Sequence, residues 1–408
     1  MKTKYFLSIL ILILFNSFCF SQDYWESIYS SEDNIHCLAI NSIRYLFAGT
    51  QNGIYRSTNN GVNWDNILDA YTIITIEINL QDDIYSSPGP IYFSTDYGDN
   101  WETLNYPETS ISHIFVSSQN NILVGFWGGI YKSSDNVASW ELVLSFSNCE
   151  VVNSIVENSE GILFAGTTNF IGEDEGGGVY RSTDQGDSWE HIGLEYEYIS
   201  SLAINSNGEI FAGSRGQHYE YGGGVFCSTD NGETWIELRD DVLVTSIAID
   251  SEEKIFIGCS DLDGYTGAIH FSGDNGESWD LIESEIMPPT TGIEFITISE
   301  DDYIYAISYE NIRHIFRSVQ STVGIDNFSI QNIIDCKLTN YPNPFNPTTT
   351  IDFSIPKDSG INLSIYNLKG QKVKTLLNEY KEAGKHQVVW NGRDESNKRA
   401  ASGLYLYK

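Results

Sequence analysis

The sequence predicts an all-β protein in which a seven-bladed β-propeller is followed by a small Ig-like β-sandwich. Three observations support this prediction: an eight-residue pattern recurs six times, alternating apolar segments separate its copies, and the charge balance changes near residue 336. Residues 23–335 carry 50 acidic and 9 basic side chains, whereas residues 336–408 carry 6 acidic and 11 basic ones. Such a change marks a domain boundary independently of the repeats.

The repeated pattern, which we call the octet, runs from Ser to Trp and has Gly at its fifth position, except for Val137 in the third copy. Its copies are Ser57–Trp64, Ser94–Trp101, Ser133–Trp140, Ser182–Trp189, Ser228–Trp235 and Ser272–Trp279. Ser and Asp accept local backbone N–H bonds, Gly adopts positive φ at little cost, and Trp adds a large apolar surface. The octet therefore predicts a turn between two strands. We expect structural roles for Asp96, Asp135, Asp184, Asp230, Asp274, Trp64, Trp101, Trp140, Trp189, Trp235 and Trp279.

The octet Trp residues recur every 43 residues on average, a spacing that suits a four-stranded propeller blade. Segments that match the strand before an octet occur seven times, at residues 54–57, 91–94, 130–133, 179–182, 225–228, 269–272 and 315–318. The seventh has no octet after it, but Trp25–Ile28 matches the segments that follow the octets. We therefore expect the N-terminal strand to close the last blade, so that only short, protected strand edges remain.

The pattern S-x-D-x-G-x-x-W resembles the Asp-box (BNR) repeat, a family of β-propeller blades. The resemblance implies the propeller fold, and the family includes sialidases and xyloglucanases. Arg56, Arg181 and Arg317 occupy one equivalent position in three blades, which favours a structural role over the carboxylate-binding role of sialidase arginines. No pair of acids stands out as the catalytic pair of a glycoside hydrolase, and no nucleophile or phosphate-loop pattern is present. We therefore favour a protein without catalytic activity, and the question stays open.

The N-terminal segment, residues 1–21, is typical of a signal peptide, because Lys2 and Lys4 precede an apolar run from Phe6 to Phe15. An uncleaved membrane anchor is less favoured, since the run is short for a bilayer span. No later stretch is long and apolar enough to cross a membrane. The predicted order is a signal peptide at 1–21, a propeller at 22–320, a linker at 321–338 and a sandwich at 339–408.

The last domain opens with a proline-rich segment, Tyr341–Pro347, which cannot be helical, and continues in alternating apolar segments typical of strands. With Ile365–Gly370, Trp390–Asp394 and Gly403–Tyr405, this segment resembles the C-terminal sorting domain (type A) of the type IX secretion system. The resemblance implies that residues 339–408 engage the secretion machinery and that the protein reaches the outer cell surface or the medium. Family members continue into a further strand, so whether this copy is a fragment stays open.

The negative charge of the propeller limits the classes of partner that it can bind. An acidic propeller is repelled by phosphate backbones, which argues against nucleic acid as a partner. Solubility is the simpler explanation of the acidity.

Five cysteines follow the predicted signal peptide: Cys37, Cys149, Cys227, Cys259 and Cys336. They have no metal-ligand spacing, so buried thiols are favoured, and the presence of one disulfide stays open. We expect a monomer without cofactor or metal. Calcium at Asp261–Gly264 or Glu173–Glu175 is the remaining alternative to solvated acidic loops.

Three successive blades carry insertions between their second and third strands, at residues 167–177, 214–223 and 260–267. A four-stranded meander places these loops on the face opposite the octets. The candidate ligand-binding residues are aromatic and acidic, a mixture that suits sugar stacking or a protein partner: Trp127, Phe170, Tyr219, Tyr221, Tyr265, Asp261 and Asp263. Ordinary loop variation is the alternative. The sequence thus favours an exported binding module for a glycan or a protein, with a glycoside hydrolase and a purely structural surface protein as alternatives.

Overall fold

The computed structural model describes most of the chain after residue 23, and its regular elements are all β-strands, as predicted. Contacts divide the chain into two compact units, one comprising Tyr24–Asn327 and the other containing Phe328–Lys408. The predicted signal peptide and most of the predicted linker lie outside the described residues. These are residues 24–31, 34–87, 89–107, 110–135, 137–146, 150–169, 177–216, 223–260, 267–282, 292–309, 313–323, 339–341, 348–355, 359–367, 369, 371–381, 384–401 and 403–407.

In the first unit, the described residues form seven four-stranded antiparallel sheets. The first strand of the chain is β1, Trp25–Ser31. Blade 1 contains β2 Ile35–Ile40, β3 Leu46–Thr50, β4 Gly53–Ser57 and β5 Asp65–Asp69. Blade 2 contains β6 Thr75–Ile78, β7 Ile84–Ser87, β8 Ile91–Ser94 and β9 Glu102–Leu104. Blade 3 contains β10 Ile111–Val116, β11 Ile122–Phe126, β12 Gly129–Ser133 and β13 Glu141–Ser145.

The later blades repeat this meander. Blade 4 contains β14 Glu150–Glu157, β15 Leu163–Asn169, β16 Gly178–Ser182 and β17 Glu190–His191. Blade 5 contains β18 Ile199–Ile204, β19 Ile210–Ser214, β20 Gly224–Ser228 and β21 Ile236–Arg239. Blade 6 contains β22 Leu243–Ile249, β23 Ile255–Ser260, β24 Gly267–Ser272 and β25 Asp280–Leu281. Blade 7 contains β26 Gly292–Ile298, β27 Ile304–Tyr309 and β28 Arg313–Ser318, together with β1.

The sheets form a closed ring, as in a β-propeller. The first strand of each blade, here called the inner strand, contacts the inner strand of the next blade, and β26 contacts β2 in the same way. Blade 7 takes its outer strand from the start of the chain, because β1 pairs with β28 from Trp25 opposite Ser318 to Ser31 opposite Arg313. The prediction that the N-terminal strand closes the last blade is therefore confirmed.

Neighbouring blades pack through apolar faces. Between blades 4 and 5, for example, Phe164 and Val179 form one buried cluster with Ile199 and Leu202. The close approach of two neighbouring blades requires a small residue on the second strand of the first blade. A Cβ at Gly213 of blade 5, for example, would lie only 2.5 Å from the Val244 side chain of blade 6. Burial of such faces, at about 25 cal/mol per Å² of apolar surface, is the main force that holds the ring together.

Each octet forms the same turn between the third and outer strands. The Ser Oγ accepts the N–H of the fifth residue at 2.7–3.0 Å, and the Asp or Asn Oδ1 accepts the N–H of the seventh residue at 2.8–2.9 Å. The Gly adopts φ of 85–89° in five copies, and Val137 takes φ 63° in the third. The turn also packs on the preceding blade: the Nε1 of Trp235 donates to the carbonyl oxygen of Ile192 at 3.2 Å.

A second repeated turn, which we call the rim turn, joins the inner strand of each blade to its second strand. In all seven blades an Asn, Ser or Asp begins the turn, and its carbonyl oxygen accepts the N–H of the residue three positions later at 2.8–3.1 Å. That later residue has positive φ in every blade: Arg44, Asp82, Asn120, Gly161, Gly208, Glu253 and Asp302. The rim turn joins the first and second strands of a blade, and the octet joins the third and fourth. Because successive strands are antiparallel, both turns lie on the same face of the ring.

The C-terminal unit is a β-sandwich of two three-stranded sheets, as predicted. Its strands are β29 Thr339–Tyr341, β30 Thr349–Ile355, β31 Ser359–Asn367, β32 Lys372–Lys381, β33 Gly384–Trp390 and β34 Tyr405–Tyr407. One sheet has the order β29-β30-β33 and the other β32-β31-β34. Phe353, Leu363, Ile365 and Trp390 are buried between the two sheets.

Candidate functional site

The loops that carry the predicted ligand residues join the second and third strands, so strand direction places them opposite the octets and rim turns. We call this side the insertion face. Six of the predicted ligand residues lie outside the described residues: Phe170, Tyr219, Tyr221, Asp261, Asp263 and Tyr265. Trp127 lies within them, and its side chain is 53% exposed. The site is therefore built here around Trp127.

The backbone on either side of Trp127 is held by contacts between two blades. Trp127 follows β11 and forms an isolated antiparallel bridge with Val151 at the start of the next inner strand. The N–H of Gly128 donates to the carbonyl oxygen of Glu150 at 3.0 Å, and the Gly128 carbonyl oxygen accepts the Phe146 N–H at 2.9 Å. Gly128 has φ 132°, a conformation that L side chains rarely adopt. The indole is thus exposed on a fixed turn rather than on a long loop.

Two further aromatic rings are exposed on connections that reach this face. Tyr71, which is 84% exposed, precedes the inner strand of blade 2, and Tyr196, which is 45% exposed, precedes that of blade 5. Connections from an outer strand to the next inner strand end on the insertion face. The described part of this face therefore presents three exposed aromatic side chains, a feature that suits stacking against sugar rings.

Two acidic side chains that the sequence patterns did not single out lie at this face. Glu150 lies two residues before Val152 in blade 4, and Glu197 lies two residues before Ile199 in blade 5. Val152 and Ile199 occupy equivalent positions, since each precedes the register shift of its inner strand. Tyr180 Oη donates to Glu150 Oε2 at 3.3 Å, and Ser214 Oγ donates to Glu197 Oε2 at 2.5 Å. Burial raises the pKa of both carboxyl groups. Their shared position in two repeats was the sequence signal that could have identified them.

The arginines that a sialidase-type site would bring together lie apart. Each donates to the carbonyl oxygen of the fourth octet residue in the following blade, at 2.7–3.5 Å: Arg56 to Tyr97, Arg181 to Asn231 and Arg317 to Asn60. Arg56 and Arg181 also form ion pairs with the sixth octet residue, Asp99 and Glu233. These contacts are spread over three blade interfaces, and they support a structural role for the arginines.

Polar residues on the inner strands are likewise engaged within the ring. In four consecutive blades a bulged residue donates to a carbonyl oxygen of the next inner strand at 2.6–2.8 Å: Ser112 to Val152, Asn153 to Ile199, Ser200 to Val244 and Thr245 to Ile293. Between blades 7 and 1, Glu294 pairs with Arg313, whose Nη1 donates to the carbonyl oxygen of Ile35 at 3.0 Å. These side chains join blades, so we assign them no ligand.

Within the described residues, no group of three or more His, Cys, Asp or Glu side chains is arranged to hold a metal ion. The two acidic segments proposed for calcium lie outside those residues, as do Cys149 and Cys336. Cys37, Cys227 and Cys259 are buried, and burial raises the pKa of the Cys37 thiol to about 12, which keeps it protonated and unreactive. In the part of the chain that the structure describes, no helix is long and apolar enough to span a membrane.

The chain is similar to known proteins in two separate parts. The family model of the FlgD Ig-like domain matches residues 344–408. Solved structures with the propeller fold include the extracellular domain of BT4673 from B. thetaiotaomicron, at 14% identity and a TM-score of 0.58 over 80% of this chain. No curated protein sequence shows significant similarity to the chain.

Two other similar structures belong to proteins that are named for their functions. One is the GH74 xyloglucanase from Xanthomonas campestris, at 14% identity and a TM-score of 0.54 over 70% of this chain. The other is PorZ, a surface component of the type IX secretion system of Porphyromonas gingivalis, at 14% identity and a TM-score of 0.52 over 91% of this chain. The chain spans 44%, 52% and 56% of BT4673, the xyloglucanase and PorZ. These similarities show the fold: an all-β propeller with a C-terminal Ig-like domain.

Proposed function

We propose that the protein is an exported surface module that binds a glycan on the insertion face of its propeller. The observation that carries this proposal is the exposed indole of Trp127, held on a fixed turn in which the Gly128 N–H donates to the Glu150 carbonyl oxygen. Tyr71 and Tyr196 extend the aromatic surface, and the insertions contribute Phe170, Tyr219, Tyr221 and Tyr265 by sequence. A carbohydrate is favoured over a protein because aromatic rings with neighbouring carboxylates match the apolar faces and hydroxyl groups of sugars, and the xyloglucanase similarity is in keeping with this.

We also propose that the protein is exported, which the predicted N-terminal signal peptide and the C-terminal domain support. Residues 339–408 resemble a type IX sorting domain, and the Ig-like fold and the similarity to PorZ support the proposal that this domain engages the secretion machinery. The octets support the further proposal that the propeller belongs to the Asp-box family, in which the Asp and Trp residues hold the turns. Neither assignment depends on the identity of the glycan.

The proposal is tested by titrating the full-length protein with xyloglucan and other plant and bacterial oligosaccharides in a calorimeter. We expect binding of at least one of them, and Trp127→Ala to weaken that binding by about tenfold, as expected for the loss of one stacked ring and its buried surface. Tyr380→Ala, which removes an exposed ring from the C-terminal domain, is the matched control and should bind as the parent does. Equal affinity of all three proteins would place the site elsewhere.

A glycoside hydrolase is the second candidate, and the carboxyl groups of Glu150 and Glu197 favour it. A raised pKa is what a general acid requires near neutral pH. Release of reducing ends from the bound oligosaccharide distinguishes the two functions. If the protein is a hydrolase, Glu150→Gln or Glu197→Gln abolishes the release without abolishing binding. If it is a binding module, the parent releases none.

A further inference from the structure

On the face opposite the insertions, the rim turns of adjacent blades are joined by contacts that we call rim clamps. In its simplest form, a Ser of one rim turn donates through its N–H and Oγ to a carboxylate of the next. Ser42 donates to Asp82 at 3.0 and 2.5 Å, and Ser251 to Asp302 at 2.8 Å by both groups. Other clamps pair Ser118 with Glu157, Ser206 with Glu253, and Arg44 with Asp301. Five of the seven blade interfaces are therefore clamped.

Two interfaces lack this contact among the described residues. Between blades 2 and 3, the position of the donor Ser is occupied by Leu80, and the position of the acceptor is Asn120. Between blades 4 and 5, the acceptor position is Gly208, which has no side chain. The Leu80 side chain is 88% exposed, so it contributes little to the fold. At the position where Ser42 forms a clamp in blade 1, blade 2 has an aliphatic side chain that is exposed and forms no clamp. This difference points to another role for Leu80.

A pocket of about 410 Å³ lies beside this gap. Four successive blades contribute to it, which places it at the mouth of the ring, and it extends across both unclamped interfaces. Its apolar lining comes from Leu80, Phe115, Val116, Val156 and Ile204, and its polar lining from Asn79, Ser117, Ser118, Asn120 and Glu157. The pocket therefore combines apolar side chains with hydrogen-bonding groups.

The surface around the pocket is negatively charged, which favours a cationic partner. Its lining includes the carboxylate of Glu157 and no Lys or Arg. Glu157 and the adjacent Asp82 accept hydrogen bonds from uncharged Ser groups, so no cation neutralises them in these contacts. The propeller region as a whole has 50 acidic and 9 basic side chains. A negative field of this kind attracts cationic partners and repels anionic ones.

We propose that this mouth of the ring is a docking site for a polypeptide segment in which a large apolar side chain is flanked by Lys or Arg. The apolar side chain enters the pocket beside Leu80, and the basic residues lie against the acidic rim. Binding here is independent of the glycan proposal, since the site lies on the opposite face and uses other residues.

The test uses the full-length protein and a short fluorescein-labelled peptide with one Leu between Lys residues, followed by fluorescence anisotropy. We expect binding that weakens with added salt, and that is lost when the peptide's Lys residues are replaced by Glu or its Leu by Ser. Leu80→Ser should weaken binding by about tenfold, as the loss of one buried aliphatic contact implies. Ile236→Ser, at a 62% exposed site on an outer strand, is the matched control and should leave binding unchanged.

A second variant keeps the result interpretable if the first affects folding. Leu80→Ser with Asn120→Asp recreates the Ser–Asp clamp of blades 1 and 2 in a turn whose residue 120 already has φ 60°. We expect this double variant to melt at a higher temperature than the parent and to lose peptide binding. Undiminished binding by either variant would overturn the proposal. So would a self-association in sedimentation that Leu80→Ser abolishes, because the occupant would then be a second copy of the chain.

Discussion

At the scale of single residues, Ser228 shows how one hydroxyl group holds an octet. Its Oγ accepts the Gly232 N–H at 2.8 Å and donates to the Asp230 carboxylate at 2.8 Å, and the side chain is 1% exposed. We expect Ser228→Ala to lower the free energy of unfolding by about 1–3 kcal/mol, because the buried N–H loses its acceptor. Urea unfolding measures this change.

The control for this prediction is Ser134→Ala, at the second position of an octet, where the side chain is exposed and another octet has Gly273. Its unfolding free energy should match that of the parent. A parent-like stability of the Ser228 variant would mean that the octet hydroxyl does not hold the turn.

Glu77 links blade 2 to blade 3, since its Oε1 accepts the Val116 N–H at 3.4 Å. Burial raises the pKa of the Glu77 carboxyl from an ordinary 4.5 to about 8. Between these values the folded protein retains a proton that the unfolded chain has lost, so this group makes stability fall as the pH rises. We expect Glu77→Gln to become progressively more stable than the parent between about pH 5 and about pH 8.

Denaturant unfolding at several pH values across this range measures the effect of Glu77→Gln. The exposed Glu102 on β9 provides the control, because Glu102→Gln should follow the parent at every pH. Parallel pH profiles for the parent and the Glu77 variant would show that this carboxyl group does not titrate in that range.

At the scale of elements, the octets were predictable because one residue type recurs at each essential position. The rim turns are as regular in backbone as the octets, but their identities vary: the first residue is Asn, Ser or Asp, and the residue with positive φ is any of Arg, Asp, Asn, Gly and Glu. A single sequence therefore did not reveal them. The clamps were hidden for the same reason, since Ser–Asp, Ser–Glu and Arg–Asp pairs perform one role.

The strand β1 closes the ring, and its removal tests how much the ring depends on closure. Deletion of residues 24–31 should lower the melting temperature and promote aggregation, because the edge of β28 loses its partner and Trp25, which is 2% exposed, is lost from the core. Addition of a synthetic peptide with the β1 sequence should restore part of the lost stability. An unchanged melting temperature after the deletion would contradict closure by this strand.

At the scale of the whole molecule, the propeller has two faces with different surfaces. The insertion face presents exposed aromatic rings, and the opposite face presents octets, rim clamps and the unclamped pocket. The sequence predicted the strand meander, the closure and the position of the insertions, because these follow from repeated patterns. It did not predict Glu150, Glu197 or the pocket beside Leu80, because those depend on how side chains from different blades meet in space.

The claim that a glycan stacks on Trp127 is tested most directly by tryptophan fluorescence during titration with xyloglucan oligosaccharides. Trp127 is the most exposed of the nine Trp residues, all of which are described, so its emission should respond to a bound sugar. We expect a spectral change on saturation that disappears in Trp127→Phe, although this variant keeps an aromatic ring and binds within about tenfold of the parent. The same spectral change in Trp127→Phe, or its absence in the parent at saturation, would contradict the claim.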